Sequence, residues 1–198
     1  MDDGSFVTIP QILNIACQKD AATGLYFAYG SNMNLDQMRA LCSKPVFVGV
    51  ARLADHRLAF YGYSRTWDGG LETVVPAPGH EVWGVLFALG NTDWERLDSS
   101  QDARMDGSGM YFHSPVTVTD LESREHSARL YKKDAQGEPR NPSQEYLEHI
   151  VRGATANGLP PSYIEVLRAI GSSKASYKVP RPNADIAKAV GGSCTDCS

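Results

Sequence analysis

The chain has 198 residues, of which 42% are hydrophobic, and it carries a net charge of −4 with a pI of about 5.7. This length suits one domain or at most two small ones, with enough apolar residues to build a core. The slightly acidic charge and the lack of a lysine or arginine run argue against a nucleic-acid partner. No apolar stretch reaches the roughly 18 residues of a membrane span, so no membrane contact is predicted.

Residues 1–22 are predicted to be a lead-in, with a short helix in "IPQILNIAC", and residues 23–190 to form the folded domain. The opening "MDDGSFVTIPQ" is acidic and lacks the features of a signal peptide. Residues 191–198, "GGSCTDCS", are predicted to be a mobile tail. The few cysteines do not make a disulfide framework in a chain this long, which favours a reducing cytoplasmic location; they are Cys17, Cys42, Cys194 and Cys197.

The first predicted element is the apolar run "LYFAY", which has the length of a buried strand. A helix in "NMNLDQMRALCS" is predicted to follow, with Asn32 or Asn34 as its N-cap. Gly30, between the two, permits a sharp turn and a close approach to a ligand. The amides after it are suited to holding a carboxylate or phosphate. A plain strand-to-helix turn explains the same residues, so spacing alone leaves both interpretations open.

The middle of the chain is rich in strand-forming residues. "PVFVGVARLADHRLAFYGY" is predicted to be strand, and "TWDGGLETVV" and "EVWGVLFAL" to be two strands joined by a Pro/Gly turn at 76–79. Asn91 is a candidate cap for a short helix, "TDWERLDSSQD". "YFHSPVTVTD" and "EHSARLYKK" are predicted to be two further strands.

The longer helices come last, in "NPSQEYLEHIVRGATANG" and "PPSYIEVLRAIG". Several strands followed by helices favour an α+β fold with a mostly antiparallel sheet over a doubly wound sheet. Six strands of this length could curl into a small barrel with a ligand pocket at its mouth.

Familiar site motifs are absent from the sequence. It contains no G-x-G-x-x-G, G-x-x-x-x-G-K-[ST], G-x-S-x-G or H-E-x-x-H. The five histidines lack ligand spacing, and the pair Cys194 and Cys197 supplies only two of the roughly four ligands of a structural zinc site. No metal is predicted.

The segment "YFAYGSNM" resembles the signature of the γ-glutamylcyclotransferase family. "ARLADHRLAF", "TWDGGLETVVPAPGHEVWGVLFAL" and "GATANGLPPSYIEVLRAI" resemble that family too, in the same order. The likeness runs from Leu25 to about residue 185. It implies a small mixed, mostly antiparallel β-barrel with surrounding helices. It also implies an enzyme that needs no cofactor and converts γ-glutamyl amines into 5-oxoproline and a free amine.

The resemblance also implies a set of site residues. The substrate-binding stretch would be the six residues Tyr26, Phe27, Ala28, Tyr29, Gly30 and Ser31. A family tyrosine near the pocket matches Tyr131, and Tyr111 is a further candidate for the pocket wall. Packing in the sheet explains Tyr111 equally well.

The chain departs from the family in the catalytic segment. The family pattern is "LD-x-Q-E-G" followed by "SGMY", and its glutamate is the acid/base; this chain has "LDSSQDARMDGSGMY". Asp102 falls on the glutamate, and extra residues precede "SGMY". Asp106 is an alternative after a local shift, and the loss of a working acid/base is another. Asp98 matches an aspartate that is structural in the pattern. Aspartate reaches about 1.5 Å less than glutamate, which matters because a shift near 1 Å can cost about a hundredfold in rate.

Three functions remain open from the sequence. The leading one is a γ-glutamyl cyclotransferase acting on a small molecule with an α-amino acid head. The second is a repurposed lyase, isomerase or cyclase of a specialised biosynthetic pathway with Asp102 as general base. The third is a non-catalytic ligand-binding module. A homodimer is left open.

Overall fold

The computed structural model describes residues 24–104, 106–134 and 137–181. The predicted lead-in at 1–22 with its helix and the predicted tail at 191–198 lie outside the described residues. Three of the four cysteines also lie outside them, and the fourth, Cys42, is buried. The domain limits therefore stay a prediction.

Five strands form a closed barrel in the order β1-β3-β2-β4-β5. β1 runs parallel to β5, and the other neighbouring strands are antiparallel. The α+β class and the small mixed, mostly antiparallel barrel with surrounding helices are thus confirmed. The strands are β1 (Gly24–Ala28), β2 (Val46–Ser64), β3 (Gly69–Leu89), β4 (Tyr111–Asp120) and β5 (Glu125–Lys133).

The predicted turn at 76–79 is wrong, because β3 is one strand of 21 residues. His56 of β2 pairs with Pro76 and Ala54 pairs with Glu81, so one residue of β2 opposes several of β3. Both halves of β3 therefore pair with the same partner strand in the same direction. The Pro/Gly segment forms a bulge, in which the amide of Gly79 donates to the Asp55 carboxylate at 2.9 Å. This reduces the six predicted strands to five.

Within the described ranges, a short 3₁₀ helix (Ser31–Met33) and four α-helices surround the barrel. The α-helices are α1 (Leu35–Leu41), α2 (Asn91–Gln101), α3 (Gln144–Ala156) and α4 (Pro161–Arg168). Asn34 caps α1, as one of the two predicted alternatives. Asn91 does not cap α2: the cap is Gly90, and Asn91 is the first helical residue. No helix among the described residues is long and apolar enough to cross a membrane.

A close backbone approach brings α3 against the beginning of β3. A Cβ on Gly69 would lie 2.3 Å from the Ser143 nitrogen, and one on Gly70 would lie 2.1 Å from the Arg140 oxygen. Ser143 is the N-cap of α3 and accepts a hydrogen bond from the Tyr146 amide. The two adjacent glycines therefore allow α3 to place Tyr146 over the first residues of β3.

The turn between β4 and β5 contains a buried carboxylate whose contribution to stability depends on pH. Burial alone would raise the pKa of Asp120, but hydrogen bonds from His126 and Arg124 outweigh it and lower the pKa to about 2. Because the folded-state pKa lies below the unfolded value of about 3.9, the stabilisation is present above about pH 4 and is lost as pH falls through about 2.

We therefore expect Asp120→Asn to be less stable than the wild type at neutral pH. The difference in the free energy of unfolding between the two proteins should become smaller below about pH 4. Urea denaturation at several pH values between neutral and about pH 3 measures it. Glu122→Gln is the matched control, because Glu122 pairs with the same Arg124 but its side chain is 66% exposed. If the difference in unfolding free energy stays constant down to pH 3, the proposed pH-dependent contribution of Asp120 is wrong.

Candidate active site

The segment that follows β1, here named the Gly30 loop (29–34), forms a tight buried turn. The amide of Met33 donates to the Gly30 oxygen at 3.0 Å, and the amide of Asn34 donates to the Ser31 oxygen at 3.1 Å. Asn34 then begins α1, because its side chain accepts from the amides of the first helical turn. Ser31 and Asn32 are only 7% and 4% exposed, so the loop lies inside the protein.

The Gly30 loop faces a carboxylate of the protein itself, that of Glu72 in β3. Glu72 Oε1 accepts from the Ser31 amide at 3.2 Å and from Ser31 Oγ at 3.4 Å. Its other oxygen, Oε2, accepts from the hydroxyl of Tyr146 in α3. Glu72 is 7% exposed. Among the described residues, no lysine, arginine or histidine forms an ion pair with it.

Gly30 is required at its position by lack of space. A Cβ there would lie 2.2 Å from Glu72 Oε1 and 2.6 Å from Glu72 Cδ. The φ of Gly30 is −125°, outside the left-handed region that favours glycine. Gly30 was predicted to permit a close approach to a ligand. In the structure, the group that approaches Gly30 is the Glu72 side chain.

Three buried tyrosines surround the Glu72 carboxylate as neutral groups. Burial, reinforced by the nearby negative charge of Glu72, raises the pKa of Tyr29, Tyr111 and Tyr146 well above the ordinary value. The Tyr111 hydroxyl donates to the backbone oxygen of Glu72 at 3.0 Å. Because all three hydroxyls stay protonated, they supply hydrogen-bond donors and no compensating charge.

The aromatic wall behind Tyr146 also lacks a positive charge. Trp67 stacks on Tyr146 with ring centroids 4.6 Å apart, and His149 lies 5.2 Å from Trp67. Burial lowers the pKa of His149, with Arg152 acting in the same direction, so its imidazole is neutral at pH 7. The site therefore combines one buried anion with neutral donors and aromatic rings.

A second polar cluster lies around Asp98. Its Oδ1 accepts from the Tyr131 hydroxyl at 2.6 Å and lies 2.5 Å from His113 Nε2. The Tyr26 ring packs edge-on against Tyr131 with centroids 5.4 Å apart. An open cavity of about 290 Å³ adjoins this cluster and is lined by Asp98, Ala103, Arg104, Gly107, Phe112 and His113.

Comparison with known proteins assigns the chain to a family. The model of the AIG2-like family matches residues 81–167. The γ-glutamylcyclotransferase of Bos taurus is 36% identical over 183 residues, which cover 88% of this chain and 95% of that protein. The human γ-glutamylcyclotransferase is also 36% identical, over 85% of this chain and 90% of that protein. The chain belongs to the γ-glutamylcyclotransferase family.

The folds agree as well. A solved structure of a γ-glutamyl cyclotransferase matches with a TM-score of 0.74 at 34% identity, over 86% of this chain and 99% of that one. A further structure, of a human protein described as uncharacterized, matches with a TM-score of 0.73 at 35% identity over 85% of this chain and 98% of that one. The γ-glutamylcyclotransferase fold therefore extends over most of the chain.

The residues that the family signature assigned to substrate fall into three places. Tyr29, Gly30 and Ser31 lie around the Glu72 carboxylate. Tyr131 belongs to the Asp98 cluster, and Tyr26 links the two regions, because its ring packs on Tyr131 while its hydroxyl accepts from the Asn32 side chain of the Gly30 loop at 2.9 Å. The Tyr29 hydroxyl makes a second link by donating to the Tyr131 backbone oxygen at 2.5 Å. The side chains of Phe27 and Ala28 are fully buried in the core. Their roles in substrate binding stay predictions.

Asp102, the predicted acid/base, has its carboxylate at the surface. Its side chain is 45% exposed and pairs with Arg104 at 2.9 Å, while its second oxygen accepts from the Met110 amide at 3.3 Å. The residue is the C-cap of α2 and has a left-handed backbone. None of these contacts reaches the Gly30 loop. The catalytic role of Asp102 stays a prediction from the sequence.

Asp106, the alternative, is exposed and serves a local turn. Its Oδ1 accepts from the amide and the hydroxyl of Ser108, which lower the pKa of Asp106. Asp98 is held by Tyr131 and His113, which fits the structural role predicted for it. Neither carboxylate contacts the Gly30 loop among the hydrogen bonds of the described residues.

Glu72 was not among the predicted site residues. It lies in "GGLETVV", within a run of β3 that is buried from Gly69 to Val74. A glutamate inside an apolar strand is a usable signal, because glutamate is almost never fully buried unless it is paired or used. The family pattern places the acid/base in the segment after α2, which is remote from Glu72 in the sequence.

Proposed function

We propose that this γ-glutamylcyclotransferase cyclises a γ-glutamyl amino acid, peptide or conjugate to 5-oxoproline and releases the free amine. The observation that carries the proposal is the family relationship over 85–88% of the chain. The buried carboxylate at the signature loop supports it, because the amine of a substrate head group needs an anion beside it.

The reaction is an internal acyl transfer and balances without another reactant. The α-amine nitrogen of the γ-glutamyl group attacks the γ-carbonyl carbon, and the new C–N bond closes a five-membered ring. The original amide C–N bond breaks, and one proton passes from the attacking nitrogen to the leaving nitrogen. Because the nucleophile and the carbonyl belong to one molecule, the enzyme gains most by holding them in the closing geometry.

The described site offers what this reaction needs. The Glu72 carboxylate stands against the Gly30 loop as an acceptor for the amine, and Ser31 and Tyr146 hold this carboxylate in place by donating to it. Glu72 is 7% exposed, which strengthens its electrostatic contacts relative to those in water. The substrate class is thus a compound with a free α-amino acid head and an amide at its γ-carbonyl.

The same proposal includes a pathway and a cellular location for this reaction. The departure from the family pattern in "LDSSQDARMDGSGMY" supports a substrate other than a common γ-glutamyl amino acid, as in a specialised biosynthetic pathway. The few cysteines support a reducing, cytoplasmic setting.

A panel of γ-glutamyl amino acids, peptides and thioether conjugates tests the proposal. We expect 5-oxoproline, detected by mass spectrometry, together with one equivalent of released amine from at least one member. The matched control is the same compound with its α-amine acetylated, which must give no product because the nucleophile is blocked. Release of free glutamate instead of 5-oxoproline would show hydrolysis and would contradict the cyclisation.

A further inference from the structure

We propose that the carboxylate of Glu72 carries the proton in this reaction, accepting it from the attacking α-amine and delivering it to the leaving nitrogen. This inference rests on the proposed function and adds the residue that does the acid–base work. It places the catalytic carboxylate on β3, instead of on the segment after α2 where the family pattern has it.

The first argument is the burial of an uncompensated charge. Glu72 is 7% exposed and has no cationic partner among the described residues. Burying an unpaired carboxylate costs several kcal/mol, and apolar residues of similar volume would fill the space at less cost. A charge kept in such a position is a candidate for function, and the missing partner would be a cation brought by the substrate.

The second argument is the unfilled hydrogen-bonding capacity of the carboxylate. An ionised carboxylate has about four acceptor positions. Three are taken by described donors, which are the Ser31 amide, the Ser31 hydroxyl and the Tyr146 hydroxyl. The remaining position suits one more donor, and the α-ammonium group of an amino-acid head supplies it.

Glu72 lies on β3 directly against the loop that the family resemblance assigns to substrate. Its Oε1 lies within hydrogen-bond distance of Ser31 and against Gly30. A substrate head held by the Gly30 loop therefore has its amine within reach of Glu72. By contrast, Asp102 is 45% exposed and already paired with Arg104, so it has a ready ionic partner and contact with water.

The proposed step keeps atoms and charge in balance. Glu72 begins as a carboxylate, and the bound α-ammonium group first loses one proton to water to become a neutral amine, a proton that water returns to the free amine after release. Glu72 then takes a second proton from this nitrogen as it bonds to the γ-carbonyl carbon. The resulting carboxylic acid gives the proton to the amide nitrogen as the old C–N bond breaks. Glu72 ends as a carboxylate, 5-oxoproline and the free amine leave, and Tyr146 and Ser31 hold the side chain in place throughout.

The test is Glu72→Gln, which keeps the shape but cannot carry the proton. We expect kcat on the best γ-glutamyl substrate to fall by about two to four decades, as for a lost general acid–base. We also expect the melting temperature to stay equal or rise, because an uncompensated buried charge has been removed. A purely structural glutamate would instead show lower stability and little loss of kcat.

Two further variants complete the design. Glu81→Gln is the matched control, because Glu81 lies on the same strand with a side chain that is 46% exposed and pairs with Arg52; its activity should match the wild type. Glu72→Asp retains the carboxylate with about 1.5 Å less reach, so it should keep partial activity, roughly a hundredfold below the wild type. If Glu72→Gln does not fold, the activity of Glu72→Asp tests the role of Glu72 instead.

The outcomes separate the two proposals. A wild type that forms no 5-oxoproline on the whole panel removes the proposed function and the role of Glu72 with it. An active wild type with full kcat in Glu72→Gln overturns the role of Glu72 alone. A higher activity in Glu72→Gln would also overturn it, since Glu72 would then only occupy the oxygen site of the substrate. Loss of activity in Asp102→Asn with a fully active Glu72→Gln would assign the role to Asp102.

Discussion

Replacement of Gly30 by alanine is expected to lower kcat/KM by about a hundredfold or more while the barrel stays folded. The new Cβ would stand 2.2 Å from Glu72 Oε1, so the carboxylate must move by more than 1 Å to relieve the contact. A displacement near 1 Å in a catalytic geometry already costs about a hundredfold. Steady-state kinetics on the best γ-glutamyl substrate and the near-UV circular dichroism spectrum measure the two halves of the prediction.

Gly49→Ala is the matched control, because a Cβ at Gly49 meets no atom within 4 Å. The double variant Gly30→Ala/Glu72→Ala should regain thermal stability relative to Gly30→Ala, since the side chain in the way has been shortened, yet it should remain inactive. Near-full activity of Gly30→Ala would contradict the prediction. It would show that catalysis does not require the Glu72 carboxylate to lie against the loop.

Replacement of Phe27 by alanine is expected to destabilise the protein by about 3–5 kcal/mol, the range for removal of a buried aromatic side chain. Phe27 is 0% exposed and lies on β1, which pairs with β3 on one side and β5 on the other. The lost side chain would leave a cavity at the centre of the barrel, where neighbouring strands cannot collapse. Urea denaturation measures the change in the free energy of unfolding.

Phe47→Ala is the control for the loss of an aromatic ring, because Phe47 is 44% exposed and lies on β2 of the same barrel. Its cost should be about 1–2 kcal/mol, clearly below that at Phe27, since only about half of its surface is buried. Equal costs at the two positions would mean that the core is not centred on β1.

Strands β1 and β3 contribute both to the stability of the core and to the candidate site. β1 carries Phe27 into the core and continues directly into Gly30, which admits the Glu72 carboxylate. The core side chains give the barrel its stability, and the buried carboxylate subtracts from it. Rigid strands on both sides hold the carboxylate and the Gly30 loop in a fixed relation, as a site that must position a proton requires.

Much of the fold could be predicted from local pattern. β4 and β5 were expected at "YFHSPVTVTD" and "EHSARLYKK", and they span Tyr111–Asp120 and Glu125–Lys133. The error at residues 76–79 came from reading proline and glycine as a turn. A bulge uses the same residues, and only the partner strand decides between the two, because β2 continues past the irregularity and pairs on both sides of it.

One part of the candidate site could be predicted from the sequence and another part could not. The signature loop could be located from its sequence, because glycine and asparagine after an apolar strand have few other uses. Glu72 could not be connected to it, since 41 residues separate it from Ser31 and β1 pairs with the other end of β3, at Val85–Leu89, so that only the packing of the folded barrel brings the loop to Glu72. Tyr146 is 74 residues from Glu72, and the approach of α3 to Gly69 and Gly70 brings it there.

The sequence by itself determined the family, the α+β class and the loop at Tyr29–Asn34, because these depend on residues that are neighbours along the chain. The tertiary structure decided the strand count, the surface position of Asp102 and the carboxylate that faces the loop. These depend on contacts between distant residues, and the free energy of burying a charge such as that of Glu72 is set by the groups that surround it in space.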